Sequence, residues 1–101
     1  MSISVTSNPD NGNVTIKVSG EFDFTMQKEF RAAYETHDSK TKFIIDLRET
    51  TNIDSAGLGI LMAMRTKLGG ENAQIEIQKC KPNVTELMGI FHFDKYFKIT
   101  R

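Results

Sequence analysis

A second cysteine, an excess of either charge and a long apolar run are all missing from this 101-residue sequence. Cys80 has no other thiol to pair with, so no internal disulfide can form, and nothing near the N-terminus pairs a basic patch with an apolar run of signal-peptide length. Both features point to a reducing cytoplasm. Thirteen basic and thirteen acidic residues cancel, which leaves no positive field to collect phosphate backbones and no polybasic run for an anionic membrane. Neither nucleic acid nor a membrane is expected as a partner. No stretch approaches the ~18 consecutive apolar residues of a membrane-crossing helix. Glu-x-x-His and Cys-x-x-Cys spacings are absent, as is a Gly-rich loop ending in Lys-Ser/Thr. No metal and no cofactor are expected.

What is present suits a small folded protein. Hydrophobic residues at 39% and charged residues at 26% give enough apolar surface to offset chain entropy and too little charge bias for disorder. At this length one domain spanning 1–101 is expected, and a monomer is the simplest assembly. Ile3-Ser4-Val5 and Val14-Thr15-Ile16-Lys17-Val18 alternate, with the turn formers Asn8-Pro9-Asp10-Asn11-Gly12 between them, which predicts two strands joined by a tight connection. Phe24, Met26, Phe30, Ala33 and Tyr34 then fit a helix with Thr25 as its N-cap, ending in polar residues near Ser39. Phe43-Ile44-Ile45-Asp46-Leu47 reads as a strand buried on both faces in the middle of a sheet.

From Ser55 to about Leu68 the residues are helix formers, stopped by Gly69-Gly70. Gln74-Ile75-Glu76-Ile77-Gln78 alternates strictly, so one of its faces should meet water or a polar neighbour. Pro82 opens a helix carrying Val84, Leu87, Met88 and Phe91, and a short strand near Phe97 to Thr100 ends the pattern. The order strand, strand, helix, strand, helix, strand, helix, strand predicts an α/β fold with a mixed sheet. Its later strand–helix–strand units should be right-handed parallel crossovers.

The segment Asn52-Ile53-Asp54-Ser55-Ala56-Gly57-Leu58-Gly59 follows the central strand and opens a helix. Sites in such sheets gather at the carboxyl ends of strands, where the next helix offers free N–H groups and a partial positive charge. Turning each residue by about 100 degrees puts Gly57, Ile60, Leu61, Met64 and Leu68 on the face that packs. Ser55 then looks outward with Gly59, Met62 and Thr66, and Leu58 and Arg65 lie at the border. An exposed apolar pair, Leu58 and Met62, is therefore expected beside the hydroxyl, a common mark of a protein contact site. Gly57 and Gly59 each cost about 1 kcal/mol relative to alanine in a helix, which close approach by another backbone would explain. A serine here is more often an N-cap than a modification site, and Asp54 is an equally good cap, so the residues alone leave both readings open.

Taken together these residues resemble the STAS domain family, which includes bacterial anti-sigma factor antagonists. Asp54-Ser55-Ala56-Gly57-Leu58-Gly59 is similar to that family's Asp-Ser-x-Gly-Leu-Gly segment, whose serine is the one phosphorylated. Gly20-Glu21-Phe22-Asp23 is similar to its Gly-Glu-hydrophobic-Asp signature at the turn after the second strand. The resemblance covers almost the whole chain and implies a mostly parallel sheet with helices stacked as a β-α superhelix, and Asp23 near Ser55. It implies a switch that holds an anti-sigma factor or related serine kinase while Ser55 is unmodified and releases it on phosphorylation. The contact residues would be Asp23, Phe24, Thr25, Asp54, Gly57, Leu58, Gly59 and Met62. A PP2C-like serine phosphatase would reverse the switch.

The chain departs from the family in ending at Arg101, where members commonly continue into a final helix. Gly89-Ile90-Phe91-His92-Phe93 follows the usual Ser-Gly-Leu-like stretch only loosely. The alternative implied function is a constitutive adaptor subunit of a transporter or multiprotein assembly. An enzyme is not expected: Asp54, Asp23, His37 and His92 could serve Ser55 as a nucleophile, yet no spacing assembles them into a triad. Cys80, Tyr34, Phe43, Phe91 and Phe97 read as packing residues, and Lys79, Lys81, Lys95 and Lys98 as solvated.

Overall fold

The computed structural model describes residues 2–100; Met1 and Arg101, the two ends of the expected domain, lie outside the described residues. In chain order the strands are β1 (Ser2–Ser7), β2 (Val14–Phe22), β3 (Lys42–Asp46), β4 (Thr50–Ile53), β5 (Gln74–Gln78) and β6 (Lys98–Thr100). The helices are α1 (Gln27–Tyr34), α2 (Ser55–Lys67) and α3 (Pro82–Ile90), with short 3-10 turns at Phe24–Met26, Gly70–Asn72 and Phe93–Lys95. Strand β1 pairs antiparallel with β2, and the neighbouring pairs along β2-β3-β5-β6 are all parallel. The α/β fold with a mixed, mostly parallel sheet is the architecture expected from the element order.

One strand was not legible in the sequence. Strand β4, Thr50–Ile53, pairs in parallel with the end of β2 and lies off the main row of strands. Its four residues Thr-Thr-Asn-Ile carry too short and too polar a pattern for alternation to register. The first helix also differs from expectation: α1 ends at Tyr34, and the chain from Glu35 to Thr41 is turn and coil.

The core lies on one face of the sheet. Val14, Ile16 and Val18 of β2, Phe43 and Ile45 of β3, and Ile75 and Ile77 of β5 are buried, and register places them in rows. Phe30 and Tyr34 of α1, Leu61 and Met64 of α2, and Val84 and Met88 of α3 close over them. Strand β3 is central, but only this face is covered. Ile44 and Asp46 are half-buried on the other side, where the parallel register aligns Thr15, Ile44, Glu76 and Lys98 across four strands. Alternation in β5 thus reports a polar sheet face, as its pattern required. Tyr34, Phe43 and Phe97 are core residues as expected, whereas Phe91 is 52% exposed, because it follows the last turn of α3 instead of continuing its buried stripe.

Glu76 shows how that polar face is held. Its Oε2 accepts from Thr100 Oγ1 at 2.6 Å and from Gln78 Nε2 at 3.1 Å, and Lys42 Nζ lies 3.6 Å from Oε1. These hydrogen bonds to the charged form, Thr100 first, hold the carboxyl below its ordinary value of 4.5 despite its burial. A depressed folded value means that Glu76 stabilises the fold above the ordinary value and ceases to do so as the pH falls through the folded one. Urea unfolding followed from about pH 7 to about pH 3 should therefore show a flatter loss of stability in Glu76→Gln than in the parent. Parallel slopes would remove this network from the acid response.

Candidate functional site

The site is built where β2 changes partners. Through Lys17 the strand pairs with β3, and from Gly20 onward it pairs with β4, with a register shift between Gly20 and Glu21. Gly20 makes the bend with φ +92°, a left-handed value that a side chain disfavours. Two bonds lock the exchange: the Gly20 amide donates to the Glu49 carbonyl at 3.0 Å, and buried Thr50 donates Oγ1 to the Val18 carbonyl at 2.7 Å. Phe22 then stands in register with Ile53. Asp23 and Asp54 follow these paired residues directly, so two aspartates leave the sheet edge side by side.

Each aspartate starts a helical turn. Asp23 accepts from the Thr25 amide at 3.0 Å and from the Thr25 hydroxyl, so Asp23 is the cap of this turn and Thr25, expected as the cap, sits inside it. The 3-10 start displaces the helix proper to Gln27. Asp54 is extended and accepts from the Gly57 amide at 2.9 Å, which makes it the N-cap of α2. Ser55 is consequently the first residue inside the helix. Its exposed hydroxyl forms no hydrogen bond among the described residues, and neither do the Ser55 and Ala56 amides. The capping role that competed for Ser55 is taken by its neighbour.

The two glycines have different reasons. A Cβ on Gly57 would sit 2.2 Å from the Phe22 carbonyl oxygen and 2.7 Å from Ile53 Cγ1. The helix start therefore rests on the backbone of β2, as expected. A Cβ on Gly59 would meet nothing within 4 Å. Gly59 instead forms part of the wall of an open groove of about 620 Å³ between α1 and α2, bordered also by Phe24, Arg31, Ala63 and Lys67. Sequence reasoning missed this groove, although small residues at 56, 59 and 63 on one helix face were its signal.

The apolar neighbour of Ser55 is also not the expected pair. Leu58 is 5% exposed, and Met62 is half-buried against the core. They share their helix flank with Arg65, whose Nε donates to the Tyr96 carbonyl at 3.2 Å and whose guanidinium lies 5.2 Å from the Tyr96 ring centre. Leu58 belongs to the core cluster and Met62 packs against it, while Tyr96 from the chain after α3 holds Arg65, contacts that a wheel for an isolated helix omits. Phe24, 70% exposed beside the Asp23 cap, supplies the large apolar group.

Neither histidine joins Ser55. His37 follows α1 and packs edge-on against Phe43 near the start of β3, and His92 follows α3. Both precede strands, whereas Ser55 follows one, so a parallel sheet keeps them at its other end. Among the described residues no three of His, Cys, Asp and Glu gather to hold a metal ion. No described helix is long and apolar enough to cross a membrane. Cys80, just beyond β5, is partly buried, and that burial raises its thiol above the ordinary value, which leaves it protonated and a poor nucleophile.

Comparison with known proteins settles the relationship. The family profile described as Mlab, STAS domain matches residues 6–100. This chain belongs to the STAS domain family. A STAS-domain containing protein of Pseudomonas aeruginosa is 39% identical over 101 residues, covering 99% of this chain and 100% of that protein. Among solved structures, an anti-sigma factor antagonist from Mycobacterium paratuberculosis has a TM-score of 0.78 at 24% identity, covering 98% of this chain and 86% of that one. The phosphorylated form of the Bacillus cell fate determinant SpoIIAA has a TM-score of 0.73 at 16% identity, covering 99% and 92%. These structural likenesses establish the STAS fold.

The site geometry separates the two STAS glycines experimentally. Gly57→Ala forces a methyl group into the Phe22 carbonyl and should cost about 1–3 kcal/mol. Gly59→Ala, with open space around it, should gain up to about 1 kcal/mol from helix propensity. Urea midpoints of the two variants are the check; shifts of the same sign would contradict the geometry.

Proposed function

We propose that this chain is a cytoplasmic, non-catalytic switch whose protein contacts are governed by phosphorylation of Ser55. The observation that carries this reading is the exposed Ser55 hydroxyl at the first position of α2, released from capping by Asp54. A phosphate there would meet the free Ser55 and Ala56 amides and the positive end of the helix, so the modified domain stays folded. It also adds roughly −1.5 to −2 charges beside Asp54 and the adjoining Asp23. A partner seated on this surface would then face desolvated like charge, and the complex weakens.

The partner is an anti-sigma factor or a related serine kinase, held while Ser55 is unmodified and freed when the kinase phosphorylates it. A PP2C-like serine phosphatase restores the binding form. Support comes from the solved relatives named as anti-sigma factor antagonists and from the one captured in a phosphorylated form. The contact surface comprises Ser55, the Asp23–Thr25 turn with Phe24 outermost, and Gly59, with Met62 at its rim. Gly57 and Leu58 support it from beneath.

Two measurements test the switch. Intact mass of protein from its native cells should reveal a fraction heavier by one phosphate that vanishes in Ser55→Ala. A serine-kinase partner retained from those cells by a Ser55→Ala bait, once purified, should bind Ser55→Ala at least about tenfold, or ~1.4 kcal/mol, more tightly than Ser55→Asp. Equal affinities with no modified fraction would overturn the reading.

A further inference from the structure

The groove between α1 and α2 has a composition that selects one kind of occupant. Its α2 side is formed by Ala56, Gly59, Ile60 and Ala63, positions that repeat along a single helix face from the first turn to Lys67 in the last. Its α1 side is formed by Gln27, Arg31 and Tyr34, and exposed Phe24 stands at the Ser55 end. Ala56, Gly59 and Ala63 are exposed although small and apolar, so a second backbone can approach α2 closely along this face. From Ala56 to Lys67 the face runs about 16 Å, roughly three helical turns.

Charge is distributed unevenly along that length. The lining holds two cations, Arg31 and Lys67, and no carboxylate. Glu35 reaches Arg31 at 3.5 Å, but both side chains are about half or more exposed, a pairing too weak to cancel the guanidinium. Asp23, Asp54 and Ser55 lie at the other end, at the carboxyl edge of the strands. The groove is thus basic where α2 finishes and acidic where it starts.

We infer that this groove receives an amphipathic helix of a partner protein, its apolar stripe against Phe24 and the small residues of α2 and its carboxylates opposite Arg31 and Lys67. The inference deepens the proposed switch and rests on reading Ser55 as the edge of a protein-docking surface. It supplies the means of release: a phosphate on Ser55 stands at the mouth of a groove whose occupant is itself acidic. Helix-in-groove docking needs an apolar floor and a length of several turns, and both are present, with Arg31 and Lys67 as the only charges in the lining.

The test uses the full chain and two synthetic helical peptides of about 18 residues, a length at which Ala-rich helices form. Both carry the same leucine stripe, with glutamates flanking it in one and lysines in the other. At low salt the acidic peptide should shift the NMR amide signals of Gly59, Ala63 and Lys67 and bind at least about tenfold more tightly than the basic one. Arg31→Glu combined with Lys67→Glu should reverse that preference. Gly59→Leu, whose Cβ has open space and whose side chain would project into the groove, should lose the acidic peptide while melting no lower than the parent. Absence of shifts along the groove, equal binding of the two peptides, or undiminished binding by Gly59→Leu would overturn the inference. Acidic-peptide binding identical in Ser55→Ala and Ser55→Asp would uphold the groove and count against the phosphorylation switch instead. If those two variants still differ toward a kinase partner while neither peptide binds, the groove alone fails.

Discussion

The contact between Gly57 and the Phe22 carbonyl is the constraint on which the rest of this site depends. With a Cβ at that position only 2.2 Å from the oxygen, α2 can lie where it does only if residue 57 has no side chain. That approach seats the first turn of the helix on the end of β2 and brings the Asp54 amide to 3.4 Å from the same carbonyl. It fixes where Ser55 emerges. A helix pushed outward by even a methyl group would carry the serine, its cap and the adjoining groove with it.

The partner exchange of β2 serves the same end. A strand that stayed paired with β3 throughout would leave no place for β4, and α2 would then start from a different part of the sheet edge. The bend at Gly20 lets β4 join the last residues of β2, and buried Thr50 satisfies the Val18 carbonyl at the crossing. Two successive helical turns consequently begin from adjacent aspartates. The Gly-Glu-Phe-Asp and Asp-Ser-Ala-Gly-Leu-Gly segments, whose aspartates Asp23 and Asp54 are 31 residues apart in the chain, form one structural unit: each supplies a cap, and one supplies the carbonyl on which the other's glycine rests.

Capping also distinguishes neighbouring residues: the fold uses one and leaves the other free of a structural task. Asp54 performs the structural task, accepting from Gly57, and the serine beside it is left with an unused hydroxyl facing water. Groups that the fold does not need and does not cover are those that a modifying enzyme can reach. Phe24 belongs to the same class, since its ring contributes little to the core and lies open beside the cap.

Local pattern determined much of this protein: the alternation of β2 and β5, the stop at Gly69-Gly70, the opening of α3 at Pro82, and the mixed α/β order all depend on neighbours in the chain. The two glycine-containing motifs likewise marked Ser55 and Asp23, and an outward-facing serine followed from the helical period alone. Tertiary structure decided the rest. Four residues of β4 are a strand because the end of β2 offers them a ladder, and Leu58, placed at the border of the outward face by the helical period, is buried as part of the core. Thr25 yields the cap to Asp23, and Gly59 opens a groove that exists only once α1 lies alongside. Periodicity reports which way a residue points from its own helix axis; what stands in that direction is settled by segments distant in sequence.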